Sequence, residues 1–208
     1  MARGLFITFE GSEGSGKSTQ SRLLASYLKR RKHKVLYLRE PGGSLISEKI
    51  RKILLDRKHE GMSAECEMLL YMASRAQVVT SLIQPALSAG VIVICDRFLD
   101  STRAYQGYGL GVSMALIDRV GRFATRSLVP DLTVVMDLPV KRGLRHRLGK
   151  RDRIEQRSLA YHRRVRRGYV SISRQDPQRV KLVKVEKDRR LTQEKIRELV
   201  AGIMRDGI

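Results

Sequence analysis

The sequence has few of the residues that staple or divide a chain. Its 208 residues include two cysteines, five prolines and no tryptophan, and aromatic side chains make up only 5%. Cys66 and Cys95 do not form a CxxC or other metal-ligand spacing, which excludes a disulfide-rich scaffold and a zinc finger. No segment rich in proline, glycine or serine separates two halves. We therefore expect a single domain over residues 1–208, stabilised by a hydrophobic core.

Long hydrophobic runs are also missing. The longest reach about five residues, whereas a membrane-spanning helix needs roughly 20. Residues 1–4 lead directly into an apolar stretch, without the features of an export signal. We expect a cytoplasmic protein with no membrane partner.

Acidic residues are scarce relative to basic ones, 21 against 42, so the net charge is +21. Residues 139–174 carry 13 Lys or Arg against two acids. Such an excess is common in proteins that bind polyanions, so one alternative is an ATPase stimulated by nucleic acid. The aromatic residues that stack bases are not interleaved with these charges, and we expect no nucleic-acid partner.

One glycine-rich segment dominates what the sequence does contain. It follows the apolar run 5–9 and precedes Leu23, Leu24 and Leu28, which recur at helical spacing. Its pattern, GxxxxGKS, is that of a phosphate-binding loop, in which backbone N–H groups and a lysine hold phosphates and a serine hydroxyl can ligate Mg²⁺. The predicted loop comprises Gly11, Ser12, Glu13, Gly14, Ser15, Gly16, Lys17 and Ser18, with Thr19 opening the helix.

The rest of the chain alternates strands with helices. Further strands are predicted at 34–39, 91–95, 132–136 and 180–185, with helical patterns between them and a long polar loop over 98–111. This alternation predicts an α/β fold, a five-stranded parallel sheet with helices on both faces. Ligands of such sheets bind at the carboxyl ends of the strands. The phosphate loop, Asp96-Arg97 and Asp137 all fall there.

Four segments make the chain resemble the bacterial thymidylate kinases, which are P-loop nucleoside monophosphate kinases, along nearly its whole length. They are Phe9-Glu10-Gly11 before the loop, Arg39-Glu40-Pro41-Gly42-Gly43, the run from Asp96 to Gly107, and Asp152-Arg153-Ile154-Glu155. The resemblance implies transfer of the γ-phosphoryl group of ATP to dTMP, giving dTDP and ADP in dTTP biosynthesis. It also implies a homodimer formed through helices.

The resemblance further implies a metal site and an acceptor site. Asp96 and Ser18 would hold Mg²⁺, Arg97 would bind the acceptor phosphate, and Glu13 would contact the 3′-hydroxyl. Tyr105 would exclude a ribose 2′-hydroxyl. The base would stack on Tyr71 and bond to Arg75, and the rest of the pocket would comprise Arg39, Pro41, Arg51, Ser101, Thr102 and Gln106.

A short lid over about residues 145–155 would cover the ATP phosphates with Arg147, Arg151 and Arg153. One branch of the family carries an arginine beside the acidic residue of its P-loop, where this chain has Gly14, so we expect the missing charge to come from the lid. Arg153 is the first choice, since it lies within the Asp152 to Glu155 motif. The alternative within the same fold is a kinase for another nucleoside monophosphate.

Overall fold

The computed structural model describes residues 3–145 and 152–206. Five strands form one parallel sheet in the order β2-β3-β1-β4-β5, which confirms the predicted fold class. The strands are β1 (Phe6–Gly11), β2 (Val35–Arg39), β3 (Ile92–Asp96), β4 (Leu132–Asp137) and β5 (Val180–Lys184).

Helices connect the strands. Within the described ranges they are α1 (Lys17–Arg30), α2 (Leu45–Leu55), α3 (Ala64–Val78), α4 (Gln84–Ser88), α5 (Leu99–Thr102), α6 (Met114–Thr125), α7 (Val140–Arg145), α8 (Leu159–Gln175) and α9 (Arg189–Asp206). A 3₁₀ turn covers Arg57–His59, and π-helical turns cover Val79–Ile83 and Arg103–Gly109. None of the described helices has the length and apolar character needed to cross a membrane.

Both faces of the sheet are covered, because side chains alternate along each buried strand. On β3, Ile92 and Ile94 pack with α1 and α9, while Val93 and Cys95 face α3 and α4. On β4, Val135 packs instead against α8. This layering leaves the carboxyl edge of the central strands open, and the polar residues that follow the strands collect there.

The segment predicted as a long loop, 98–111, is mostly helical, so this prediction was wrong. It forms α5 and the π-helical turn that follows. The buried carboxylate of Glu10 accepts the N–H groups of Phe98, at 2.8 Å, and Ser101, at 3.2 Å. The N–H groups at the start of the helix therefore find their hydrogen-bond acceptor in a residue about 90 positions away, which the local sequence does not reveal.

One histidine belongs to the interior of the protein. His162 is 1% exposed, and its ring lies 5.3 Å from that of Tyr161. His162 precedes Val165 and Tyr169 by three and seven residues and so shares their buried face of α8.

Candidate active site

A cavity of about 480 Å³ opens at the carboxyl ends of the strands. One half is made by the glycine-rich loop, and the second half by β2, α2, α3, α5 and the turn after α5. Residues that line it include Glu13, Gly14, Gly16, Lys17, Ser18, Thr19, Arg39, Pro41, Arg51, Tyr71, Asp96, Arg97, Ser101, Thr102, Tyr105 and Gln106. The cavity therefore brings together most of the predicted site residues.

The glycine-rich loop joins β1 to α1 as predicted. Gly16 has φ 86°, a left-handed conformation that favours glycine, and directly precedes the helix. Lys17 is 6% exposed, and its ammonium donates to the Ser12 carbonyl at 2.9 Å. Burial, with a smaller contribution from Arg97, lowers the pKa of Lys17 to about 8. The lysine is thus held where phosphate oxygens would restore the charge that burial disfavours.

The predicted metal ligands are adjacent. The hydroxyl of Ser18 donates to the carboxylate of Asp96, the last residue of β3. Both are hard oxygen ligands of the kind that Mg²⁺ takes from proteins when substrate phosphates supply the rest. Among the described residues no group of three His, Cys, Asp or Glu forms a metal cage. The two residues therefore fit a magnesium ion shared with a nucleotide.

The loop also touches the helix that leads to the predicted lid. Gly14 has φ 69°, and a Cβ there would collide with the backbone of Gly143 on α7. Two residues after Gly143, α7 ends at Arg145. Arg147 and Arg151, two of the three predicted lid arginines, lie outside the described residues.

Arg97 is the most highly connected cation of the cavity. Its backbone has φ 79°, an unusual value for a non-glycine residue and one that occurs where the surroundings impose it. The guanidinium donates to Glu13 at 2.6 Å and to the Tyr105 hydroxyl at 3.0 Å, and lies 4.8 Å from the centre of the Tyr105 ring. Tyr105 in turn donates to Glu13 at 2.7 Å. Arg97, Glu13 and Tyr105 thus form one unit facing the cavity.

Arg39 and Arg51 converge on a single backbone oxygen. Each donates to the carbonyl of Pro41, at 3.1 and 2.9 Å, and Arg39 also forms a two-pronged pair with Glu48. Burial, followed by the neighbouring charge of Arg39, lowers the pKa of Arg51. The two cations form a positive wall of the cavity.

Arg75 lies behind the cavity instead of lining it. It is 1% exposed and donates to Glu40 at 2.8 Å, to the Thr102 hydroxyl at 3.0 Å and to the Phe98 carbonyl at 2.9 Å. Burial raises the pKa of Glu40 to about 7, against the opposing effect of Arg75. Glu40 lines the cavity, and sequence analysis gave it no role. The donors of Arg75 are thus engaged inside the protein, and its predicted contact with the base stays a prediction.

Arg153 also does not contact the glycine-rich loop; its partners include Glu67 and Leu54. Its side chain is 3% exposed, lies 2.6 Å from the carboxylate of Glu67 and donates to the Leu54 carbonyl at 2.9 Å. Arg153 does not line the cavity, whereas its neighbours Asp152, Ile154 and Glu155 do. The sequence motif is therefore part of the site, but its arginine points into the protein.

A second buried carboxylate supports the site from below. Glu10 accepts from the Ser101 hydroxyl at 2.5 Å and from the Tyr169 hydroxyl at 2.8 Å, in addition to the two N–H groups at the start of α5. Burial, followed by the charge of Asp100, raises its pKa. Sequence analysis missed this role, although a carboxylate that directly follows the mostly apolar run 5–9 was a signal that it needed partners.

Comparison with known proteins identifies the family. Residues 9–196 match the family model described as thymidylate kinase. The chain belongs to the thymidylate kinase family.

Relatives and a solved structure agree with this membership over most of the chain. The thymidylate kinase of Symbiobacterium thermophilum is 44% identical to it, over 96% of this chain and 94% of its own. That of Trichlorobacter lovleyi is 46% identical, over 86% and 88%. A crystal structure of thymidylate kinase from Ehrlichia chaffeensis, 33% identical, matches with a TM-score of 0.81 over 95% of this chain and 99% of the other.

Proposed function

We propose that this member of the thymidylate kinase family transfers the γ-phosphoryl group of ATP to dTMP, giving dTDP and ADP, as a step of dTTP biosynthesis. The observation that carries the proposal is the cavity itself. It brings the lysine of a phosphate-binding loop and the Arg97, Glu13 and Tyr105 unit into one cavity. The donor and the acceptor phosphate would lie between these two groups.

The half of the cavity made by the glycine-rich loop, called the donor half, holds ATP. The N–H groups of the loop and the Lys17 ammonium bind its phosphates at the start of α1, where unpaired N–H groups favour anions. Ser18 and Asp96 would hold Mg²⁺, and such an ion neutralises charge on the transferring phosphoryl group. Transfer between two bound anions depends on this kind of alignment and charge neutralisation.

The other half of the cavity, called the acceptor half, binds dTMP. Arg97 presents a planar set of donors to the acceptor phosphate, and Arg39 and Arg51 add positive charge nearby. Glu13 bonds to the 3′-hydroxyl, and the Tyr105 ring leaves no room for a 2′-hydroxyl. No general base is needed, because an acceptor phosphate with a second pKa near 6 is already a dianion at neutral pH.

The base lies between the remaining acceptor residues. Tyr71 stacks on the ring, while Ser101, Thr102 and Gln106 line the pocket around it. Arg75 acts through the residues it holds, since its donors are directed to Glu40, Thr102 and the Phe98 carbonyl.

The lid contributes charge that Gly14 does not supply. Arg147 and Arg151 are the arginines that we assign to this task. Arg153, with its guanidinium beside Glu67 inside the protein, takes a positioning role in place of the catalytic one first expected of it.

We further propose a cytoplasmic homodimer. Helices α2 and α3 pack together, as do α3 and α6, and these helices expose Leu45, Ile46, Leu69 and Phe123 by 79, 52, 52 and 86%. A second copy of the chain would cover these apolar side chains.

The molar mass from light scattering, measured as the protein elutes from a size-exclusion column, tests the dimer. Phe123→Asp should give a monomer, whereas Leu191→Asp, a change at a half-exposed leucine on α9, should not. A monomeric wild-type protein would contradict the proposal.

Turnover with ATP and Mg²⁺ across dTMP, dUMP, dCMP, AMP, GMP and UMP tests the activity. dTMP should give the highest kcat/KM. A preference for another monophosphate would favour the alternative kinase. ATP hydrolysis that rises with DNA or RNA and ignores dTMP would favour the nucleic-acid-stimulated ATPase.

A further inference from the structure

A buried carboxylate outside the predicted site connects three parts of the cavity. Glu67 on α3 is fully buried. Its oxygens face the guanidinium groups of Arg153 and Arg157, each at 2.6 Å, and the side-chain amide of Gln106, at 2.8 Å. No residue of the glycine-rich loop is among these contacts.

Each contact of Glu67 ties down a different element. Arg153 lies within the segment 152–155, whose other side chains line the cavity, and Arg157 lies two residues after it. Arg153 also bonds to the end of α2. Arg157 is held a second time, by the hydroxyl and ring of Tyr161 on α8. Gln106 belongs to the π-helical turn after α5. Glu67 therefore fixes the position of the segment 152–155 relative to Gln106.

The bond between Glu67 and Gln106 also fixes which way the amide of Gln106 points. An ionised carboxylate only accepts, so the NH₂ group of Gln106 must face Glu67. Gln106 is 2% exposed and lines the cavity. Its carbonyl oxygen, for which no partner occurs among the described residues, is then the amide atom left to the ligand.

We propose that Glu67 is a positioning residue that selects the acceptor base by holding Gln106 as a hydrogen-bond acceptor. This rests on the proposed dTMP kinase activity and extends it. Thymine carries an N–H donor at ring position 3, whereas cytosine has an acceptor nitrogen there. An amide locked with its oxygen toward the base accepts from thymine and meets cytosine with two lone pairs opposed. The guanidinium groups of the buried Arg153 and the partly exposed Arg157 both pair with the carboxylate of Glu67, so its oxygens serve as hydrogen-bond acceptors.

The test compares kcat/KM for dTMP and dCMP in four proteins: wild type, Glu67→Gln, Gln106→Ala and the double variant. A glutamine at 67 can donate or accept, so the amide of Gln106 is free to turn. The preference for dTMP should fall about tenfold to a hundredfold in Glu67→Gln. It should fall no further in the double variant than in Gln106→Ala, because Glu67 acts through Gln106.

Two further variants separate positioning from general damage. Glu65→Gln makes the same change two residues away on the exposed face of α3 and should leave both substrates unaffected. Glu67→Asp keeps an acceptor-only group and should retain more of the dTMP preference than Glu67→Gln, even if its turnover is lower.

Three results would overturn the proposal. The first is a wild type that is active on dTMP together with a Glu67→Gln variant whose preference for dTMP over dCMP is unchanged. This result would contradict the role of Glu67 but not the proposed kinase function. The second is a double variant in which the two losses multiply. The third concerns folding. If Glu67→Gln does not fold, the variant that combines Glu67→Gln with Arg153→Met replaces it in the test. In that variant the partly exposed Arg157 is the one cation left of the two that pair with residue 67. Failure of both to fold would make Glu67 a residue of the fold alone.

Discussion

The donor and acceptor halves of the cavity are built in different ways. Most of the donor half comes from one stretch of chain, residues 11–19, with Asp96 at the end of β3 beside it. The acceptor half is assembled from β2, α2, α3, α5, the turn after α5 and the segment 152–155. Arginines in it or behind it pair with carboxylates far away in sequence. A local motif therefore specifies the first half, whereas the second depends on which buried partner each arginine finds. Variants in the two halves should separate ATP chemistry from dTMP binding.

The largest effect is expected at Lys17. Lys17→Ala removes the one side-chain cation that the described glycine-rich loop directs at the donor phosphates, and kcat should fall about a thousandfold or more. Steady-state turnover with saturating ATP and dTMP measures this. Near-normal turnover would refute the assignment of the loop.

Arg97→Ala should weaken the acceptor side by about 2–5 kcal/mol in dTMP binding, because a charge-assisted pair to a doubly charged phosphate is lost. Arg97→Lys keeps the charge but not the planar set of donors, so it should restore only part of the affinity. Equal affinities in all three proteins would remove Arg97 from the phosphate site.

Tyr105→Ala should open space beside the sugar. The preference for dTMP over the ribose form of TMP should fall about tenfold to a hundredfold, since steric exclusion of a hydroxyl is rarely absolute. Tyr105→Phe keeps the ring and should retain the preference while it loses the bond to Glu13. Unchanged rejection of the ribose form by Tyr105→Ala would mean that another residue reads the sugar.

The pH dependence should differ between the free enzyme and the enzyme with phosphates bound. Lys17 has a depressed pKa of about 8, so it carries its charge below that pH and loses it as the pH rises. For the free enzyme, kcat/KM for ATP should therefore decline above about pH 8, while kcat, measured with phosphates bound next to Lys17, should decline only at higher pH. A kcat/KM for ATP that stays level up to pH 10 would contradict the depressed pKa.

The smallest catalytic effect is expected at Arg153. Arg153→Met leaves the Leu54 carbonyl and part of Glu67 unpaired, at a cost of about 1–3 kcal/mol in unfolding free energy, but kcat should change by less than about tenfold. Arg57→Met, at an exposed arginine, should change neither quantity. A collapse of kcat in Arg153→Met without loss of stability would restore the catalytic role first expected.

The features that could be predicted from the sequence are those that depend on local sequence, and the features that could not be predicted depend on distant partners. The five strands and the glycine-rich loop were predictable because each depends on neighbours in sequence, such as the apolar run of β3. The helical form of 98–111 was not, because Glu10 satisfies its first N–H groups from β1. The placement of Arg75 and Arg153 was not either. A guanidinium in a motif has the same sequence signal whether it faces a ligand or a buried carboxylate such as Glu40 or Glu67.

Calorimetric titration of dTMP into Lys17→Ala and Arg97→Ala, without ATP, tests most directly whether the cavity has separate donor and acceptor halves. Lys17→Ala should bind dTMP with a Kd within about threefold of the wild type, and Arg97→Ala should bind it at least about thirtyfold more weakly. A comparable loss of dTMP affinity in both variants, or a loss in Lys17→Ala alone, would contradict the division.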